Sequence, residues 1–210
     1  YEKYPACLNG KLHVDKQGYY SDSTVLSTTE DSQVSLYLEP YYNLDVEIKA
    51  VELSDGDVRE LKDGEVAIFQ LENLDNDYKT MVTNGLEDIN LVAGTYMVTT
   101  YLMNEGDPVK IKGEKHTECV DVPRGGLLGV FLTKEECFEV ETEDMEVDSF
   151  ITGGGKFEFT LDYGSLENSE KIIFYAISDF VPSSNEDMIQ IFESMEEKID
   201  NENFRYPELK

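Results

Sequence analysis

The stretch NLVAGTYMVTTYL, residues 90–102, places a small-residue corner, Ala93-Gly94, directly before a run of Thr, Tyr, Val and Met. β-Branched and aromatic side chains suit a pleated, half-buried surface. Glycine lets the backbone turn where a Cβ would clash. The stretch therefore predicts a tight corner feeding an extended strand, and nothing in it repeats at helical spacing.

The same grammar continues on both sides. Upstream, LDVEIKAVEL (residues 44–53) sets Leu44, Val46, Ile48 and Ala50 on one face and Asp45, Glu47 and Lys49 on the other, the period of two of a half-buried strand. Val51 and Leu53 shift the phase, which predicts a bulge or bend. LSDGDVRELKDGE (53–65) carries two Asp-Gly turn signals, and Asn84-Gly85 supplies a third. QVSLYLEP (33–40), KLHVD (11–15), EVAIFQLEN (65–73), KTMVT (79–83) and LEDINL (86–91) complete a series of strand candidates. Their spacing of eight to twelve residues reads as an antiparallel sandwich or barrel.

Beyond residue 104, PVKIKG, TECVDV, GVFLT, CFEVET, KFEFTLD and KIIFYAISDF are further strand candidates, with PRGGLLG as a connection. PSSNEDMIQIFESMEEKID (182–200) alone has helical character. Ser184 is its expected N-cap and Asp187 its N3 residue, with Met188, Ile191, Phe192, Met195 and Ile199 along one stripe. That stripe either docks on the preceding β layer or faces a partner or membrane surface. The expected fold is mainly β: a sandwich over residues 1–104, a second β module over 105–181, and a C-terminal helix and tail over 182–210.

Composition narrows function. Forty-five acids against 17 bases give a formal charge of -28, which repels nucleic acid and anionic lipid. No run reaches the length needed to span a bilayer, so no membrane insertion is expected. The chain begins at Tyr1, consistent with a mature or trimmed start. Cys119 and Cys137 flank one expected hairpin, and a bridge there would contribute about 3 kcal/mol in the chain-entropy model. Three free thiols in an intracellular protein is the competing reading, and Cys7 has no assigned partner in either.

Chemistry is sparse. The two histidines, His13 and His116, stand far apart in strand-like stretches, and no hydrolase elbow or zinc-protease motif occurs. TGGGK (152–156) fails the phosphate-loop frame, because Phe150 stands where glycine is required and Phe157 where Ser or Thr is; it reads as a glycine turn before a strand. Asp55, Asp57, Asp75 and Asp77 fall at alternate positions in two turns, as in Ca²⁺ loops, but Val66 and Leu86 occupy the position of the closing glutamate. A non-standard Ca²⁺ site from these four competes with simple solvated turns. Tyr19-Tyr20 and Tyr41-Tyr42 are candidate glycan-stacking pairs, or else pack against their own strands. No acid pair is singled out, and no enzyme activity is expected.

Two resemblances add context. VAIFQLEN followed by MVTNGLEDINLVAGTYMVTTYL, through Gly85, Ile89, Leu91, Gly94, Thr95, Tyr96 and Val98, resembles the second half of transthyretin-like or carboxypeptidase-regulatory-like (Ig-like) sandwich domains, over about residues 44–102. PACLNGKL (5–12) is similar to a linker entering such a domain. That resemblance implies a spacer, adhesion or appendage role in a secreted or surface protein. ECVDVPRGGLLGVFLTKEECFEVE with ITGGGKFEFTL resembles uncharacterised archaeal surface or secreted proteins. Together they predict a non-enzymatic extracellular or cell-surface structural module. Its self-assembly would run through edge strands, the segment through Val14 being the candidate for exchange. The alternative is a carbohydrate- or Ca²⁺-binding accessory module.

Overall fold

The structure is a computed structural model that describes residues 6–30, 33–106, 108–113, 115–123 and 133–210. In chain order the strands are β1 (Gly10–Val14), β2 (Tyr19–Tyr20), β3 (Asp22–Leu26), β4 (Glu39–Pro40), β5 (Tyr42–Glu52), β6 (Val58–Arg59), β7 (Glu65–Asn73), β8 (Lys79–Thr83), β9 (Asp88–Leu91), β10 (Gly94–Asn104), β11 (Val109–Ile111), β12 (Lys115–Pro123), β13 (Thr133–Glu141), β14 (Met145–Val147) and β15 (Phe150–Leu161). Helix α1 (Tyr163–Glu167), β16 (Lys171–Ser178), α2 (Asn185–Glu193), a 3-10 turn (Glu197–Asp200) and β17 (Glu208–Leu209) complete it. The molecule is mainly β with a helix near its C-terminus, as the sequence predicts.

Two sheets enclose one core. The first has the order β15-β10-β7-β8, all antiparallel, and the second β17-β16-β5-β6, with β9 also on β5. Phe69, Leu71, Tyr96, Val98, Leu102 and Phe157 of the first sheet meet Leu44, Leu91, Ile172, Phe174 and Ala176 of the second in a single buried cluster. Both sheets take strands from either side of residue 104: β15 pairs with β10 along its length, and β16 pairs with β5. Residues 109–147 form two small ribbons outside these sheets, β11–β14 and β12–β13; Ile111 of the first is buried, and the Lys112 N–H donates to the Ser183 carbonyl at 3.1 Å.

One pairing breaks the antiparallel rule. β16 runs parallel to β5, from Lys171 opposite Asp45 to Ser178 opposite Glu52, without a register shift. The bulge expected near Val51 is therefore absent. The phase shift has another cause: Val51, Leu53, Ile173, Tyr175 and Ile177 form a second buried cluster on the outer face of this sheet, covered in part by Phe204. A strand buried on both faces loses its alternation.

The strand expected over residues 33–40 shrinks to β4, because residues 33–38 have no pairing partner and Val34 and Tyr37 lie exposed. The expected strand GVFLT falls, apart from Thr133, outside the described residues, as does most of PRGGLLG. TGGGK is not a turn but the middle of β15. A Cβ on Gly153 would sit 1.9 Å from the Ile177 carbonyl oxygen, and one on Gly154 2.6 Å from that of Thr100. The glycines let β15 squeeze between β10 and β16 where the sheets meet.

Helix α2 starts as predicted, with a capping box in which Ser184 and Asp187 exchange hydrogen bonds. It ends at Glu193, however, so the expected apolar stripe is cut short. Ile191 and Met195 are buried, whereas Phe192 and Ile199 are exposed. Met195 packs at Gly154 and accepts a hydrogen bond from the Lys156 N–H at 3.2 Å, docking this segment on β15.

Candidate functional site

The Ala93-Gly94 corner lies at the rim of a cleft of about 470 Å³. Gly94 has φ +144°, and a Cβ there would meet the Asn73 side chain at 2.5 Å. Asn73 in turn donates to the Ala93 carbonyl at 3.2 Å. Just after the corner, the buried Tyr96 hydroxyl donates back to the Val92 carbonyl at 2.7 Å, the arch that closes Greek-key sandwich corners elsewhere. The small residues of the corner thus admit Asn73, and the tyrosine locks the turn.

The cleft is built around this corner from four distant segments. Tyr20 and Asp22 come from the first hairpin, Tyr37 and Glu39 from the segment before β5, Asp75 from the β7–β8 turn, and Asp162 and Tyr163 from the end of β15. Each carboxylate has a local structural duty. Asp75 accepts from the Thr95 N–H at 2.8 Å, Asp22 from the Tyr37 N–H at 3.1 Å, and Asp162 caps α1 through the Ser165 N–H at 2.9 Å. The Tyr163 hydroxyl donates to Glu39. That bond to a carboxylate pushes Tyr163 up to about 12, so the phenol stays protonated and a donor across the physiological range. Hydrogen bonds from Ser165 hold Asp162 below its ordinary value. Among the described residues the lining carries four carboxylates and no lysine or arginine. Its chemistry suits hydroxyl-bearing or cationic ligands and repels anions.

The sequence-predicted residues scatter around this picture. Tyr20 and Tyr41 do not stand as free loop rings. They pack edge-on or tilted against Tyr78, with centroids 5.4 and 5.9 Å away, and Tyr78 packs against Tyr96 at 6.4 Å. Burial pushes the Tyr78 phenol up to about 12. Tyr19 lies under the Lys16 ammonium at 3.9 Å, and Tyr42 opens β5 opposite Leu91. By packing on Tyr78, Tyr20 fastens the first hairpin to the core, and it alone of the four reaches the cleft lining.

Asp55 and Asp57 sit in the β5–β6 turn, Asp75 and Asp77 in the β7–β8 turn. The first pair lies beyond Glu52, at one end of β5, while Asp75 lies at the corner near Tyr42, at the other. At about 3.3 Å per residue those ends are roughly 33 Å apart, so the four acids do not share one site. Among the described residues, three potential metal-ligand atoms come within 4.8 Å of one another only at Cys119, Glu135 and Cys137. Both sulfurs there are joined in a disulfide.

That disulfide is the most distinctive chemical feature of the chain. Cys119 and Cys137 are directly opposed in the β12–β13 ribbon, with Cα atoms 4.0 Å apart. Both are exposed. Cys7 is exposed and lies outside the bridge.

Sequence reasoning missed Tyr37, Glu39, Asp162 and Tyr163, whose only local signal is the Asp162-to-Ser165 spacing of a helix cap. It also missed a half-buried ion cluster at the far end of the sandwich. Arg59 grips Glu65 through two bonds of 2.6 and 2.9 Å and Glu52 at 2.7 Å, while Ser178 donates to Glu52 at 2.8 Å. No protein-family model, curated protein or solved structure matches the chain.

Proposed function

We propose that the chain is a non-enzymatic structural and interaction module of the extracellular space or cell surface, acting as a subunit of an assembly. The observation that supports this reading is the exposed Cys119–Cys137 bridge on a ribbon with no buried residue among those described. Exposed disulfides persist in oxidising compartments and are reduced in the cytosol. An isolated two-stranded ribbon is marginal in water, so a covalent staple keeps it in shape for contact with something outside its own fold. The transthyretin-like or carboxypeptidase-regulatory-like reading of residues 44–102 fits this role, and the Tyr96 arch to Val92 supports it. Among the described residues no helix is long and apolar enough to cross a membrane.

The test has two arms. Mass spectrometry with and without reductant, on protein from its native source, is expected to find the bridge formed in essentially all molecules. A reduced population would remove the extracytoplasmic reading. Light scattering coupled to size exclusion is expected to give a mass that rises with concentration.

A glycan-binding accessory role is the second reading, favoured by the exposed rings of Tyr37 and Tyr163 beside carboxylate acceptors at the corner cleft. Calorimetric titration with oligosaccharides addresses it: Tyr37→Ala is expected to abolish any heat of binding that the parent protein gives.

A further inference from the structure

Alternation along β12 and β13 divides the stapled ribbon into two unlike faces. Cys119 and Cys137 share one face with Thr117, Glu135 and Glu139. The other face carries Val120, Val122, Phe138 and Val140, with Glu118 opposite Phe138, Glu136 opposite Val120 and Lys134 opposite Val122, where it pairs with Glu136 at 3.2 Å. Phe138 is 52% exposed and Val120 46%. The described ribbon and the strand that follows it, residues 115–123 and 133–148, hold two lysines against ten acids.

The outward face of a second two-stranded ribbon has the complementary character. In β1–β3 the outward positions are Lys11, His13, Ser23 and Val25, with Lys11 directly opposite Val25. Val25 is 64% exposed and the preceding Leu8 74%. The hairpin as a whole, residues 10–26, balances Lys11 and Lys16 against Asp15 and Asp22. Neither acid is among the outward positions of its strands, where Lys11 is the one formal charge in a chain of net charge -28. The first ribbon thus presents two apolar–carboxylate pairs beside Val122–Lys134, the second an apolar–ammonium pair.

Resting on the assembly reading above, we propose that the Val120–Phe138 face of the β12–β13 ribbon binds the Lys11–Val25 face of the β1–β3 hairpin of a second copy. Phe138 meets Val25, and Lys11 lies against the flanking glutamates. The contact is heterologous, because each copy offers two different surfaces. It builds chains or rings rather than closed pairs, and it uses opposite local charges to offset the long-range repulsion between acidic copies.

Two exposed-site variants test it: Val25→Glu and Phe138→Glu, each checked for an unchanged far-UV circular dichroism spectrum and melting point. In light scattering at about 0.15 M salt, where the Debye length is ~8 Å, the parent is expected to form concentration-dependent oligomers and each variant to stay monomeric. Mixed together, the variants are expected to give a one-to-one dimer and nothing larger, since each keeps one intact surface. Lys11→Glu is a second probe of the hairpin side and is expected to weaken assembly while leaving the apolar surface in place. Parent oligomers that survive both variants would overturn this interface and leave the assembly reading standing. A monomeric parent at every concentration would remove both. If Phe138→Glu alone disrupts assembly, or if the ribbon instead binds phosphatidylcholine vesicles in flotation, the occupant is not the hairpin and the proposal fails.

Discussion

Arg59 shows how much one residue can carry in a chain short of cations. Its planar fork holds Glu65, which is nearly buried, and Glu52, and so ties β6 to β5 and β7 at one end of the sandwich. Burial alone would raise both carboxyls, but the Arg59 hydrogen bonds outweigh it and hold each below its ordinary value. With folded values below unfolded ones, their stabilisation is complete above the ordinary carboxylate range and drains as pH falls through the lowered values. Arg59→Met is expected to cost about 3 kcal/mol at neutral pH, because it strands two carboxylates. Urea melts at pH 7 and pH 4 are expected to show a smaller difference between variant and parent at the lower pH. Thr100 is the opposite case. Its buried hydroxyl has no hydrogen-bond partner among the described residues, so Thr100→Val is expected to be neutral or stabilising by up to about 1 kcal/mol in the same melts. Neither residue was legible in the sequence, since the partners of Arg59 and the seclusion of Thr100 are set by strands far along the chain. Gly94 was legible, because a corner before a Thr-rich strand needs a residue without a Cβ.

At the scale of elements, local signals predicted most of what exists and misread what surrounds it. The Asp-Gly and Asn-Gly turns hold Gly56, Gly64 and Gly85 at φ of 79°, 83° and 83°, and the capping box opens α2 at Ser184. Ser184→Ala is expected to lower stability by about 1 kcal/mol, read as a shift in the denaturant midpoint. The glycine run in β15 reads locally as a turn, because the close approach of β10 and β16 is invisible from within the segment. The stapled ribbon yields a further expectation. Its described residues contribute nothing to either buried cluster, so reduction should loosen it without unfolding the sandwich. Limited proteolysis after reductant is expected to cut between residues 115 and 141 while the melting point of the core holds. Loss of the core transition on reduction would contradict that independence.

For the molecule as a whole, the net charge of -28 dominates. Most acids line exposed positions, and their mutual repulsion works against the compact state. Raising the salt to about 1 M, where the Debye length is ~3 Å, is expected to raise the melting temperature, followed by differential scanning calorimetry. An unchanged or lower melting point would mean that specific ion pairs outweigh the general repulsion. The sequence by itself determined the strand-rich class, the Asp-Gly and Asn-Gly turns and the helix start, because each depends on residues close together or on a two-residue period. Only the tertiary structure decided that β16 lies parallel to β5, that the two sheets share strands from both halves of the chain, and that the cleft gathers residues from four segments. The reason is physical: period and turn chemistry are local, whereas which strand covers which face depends on contacts that chain order does not encode.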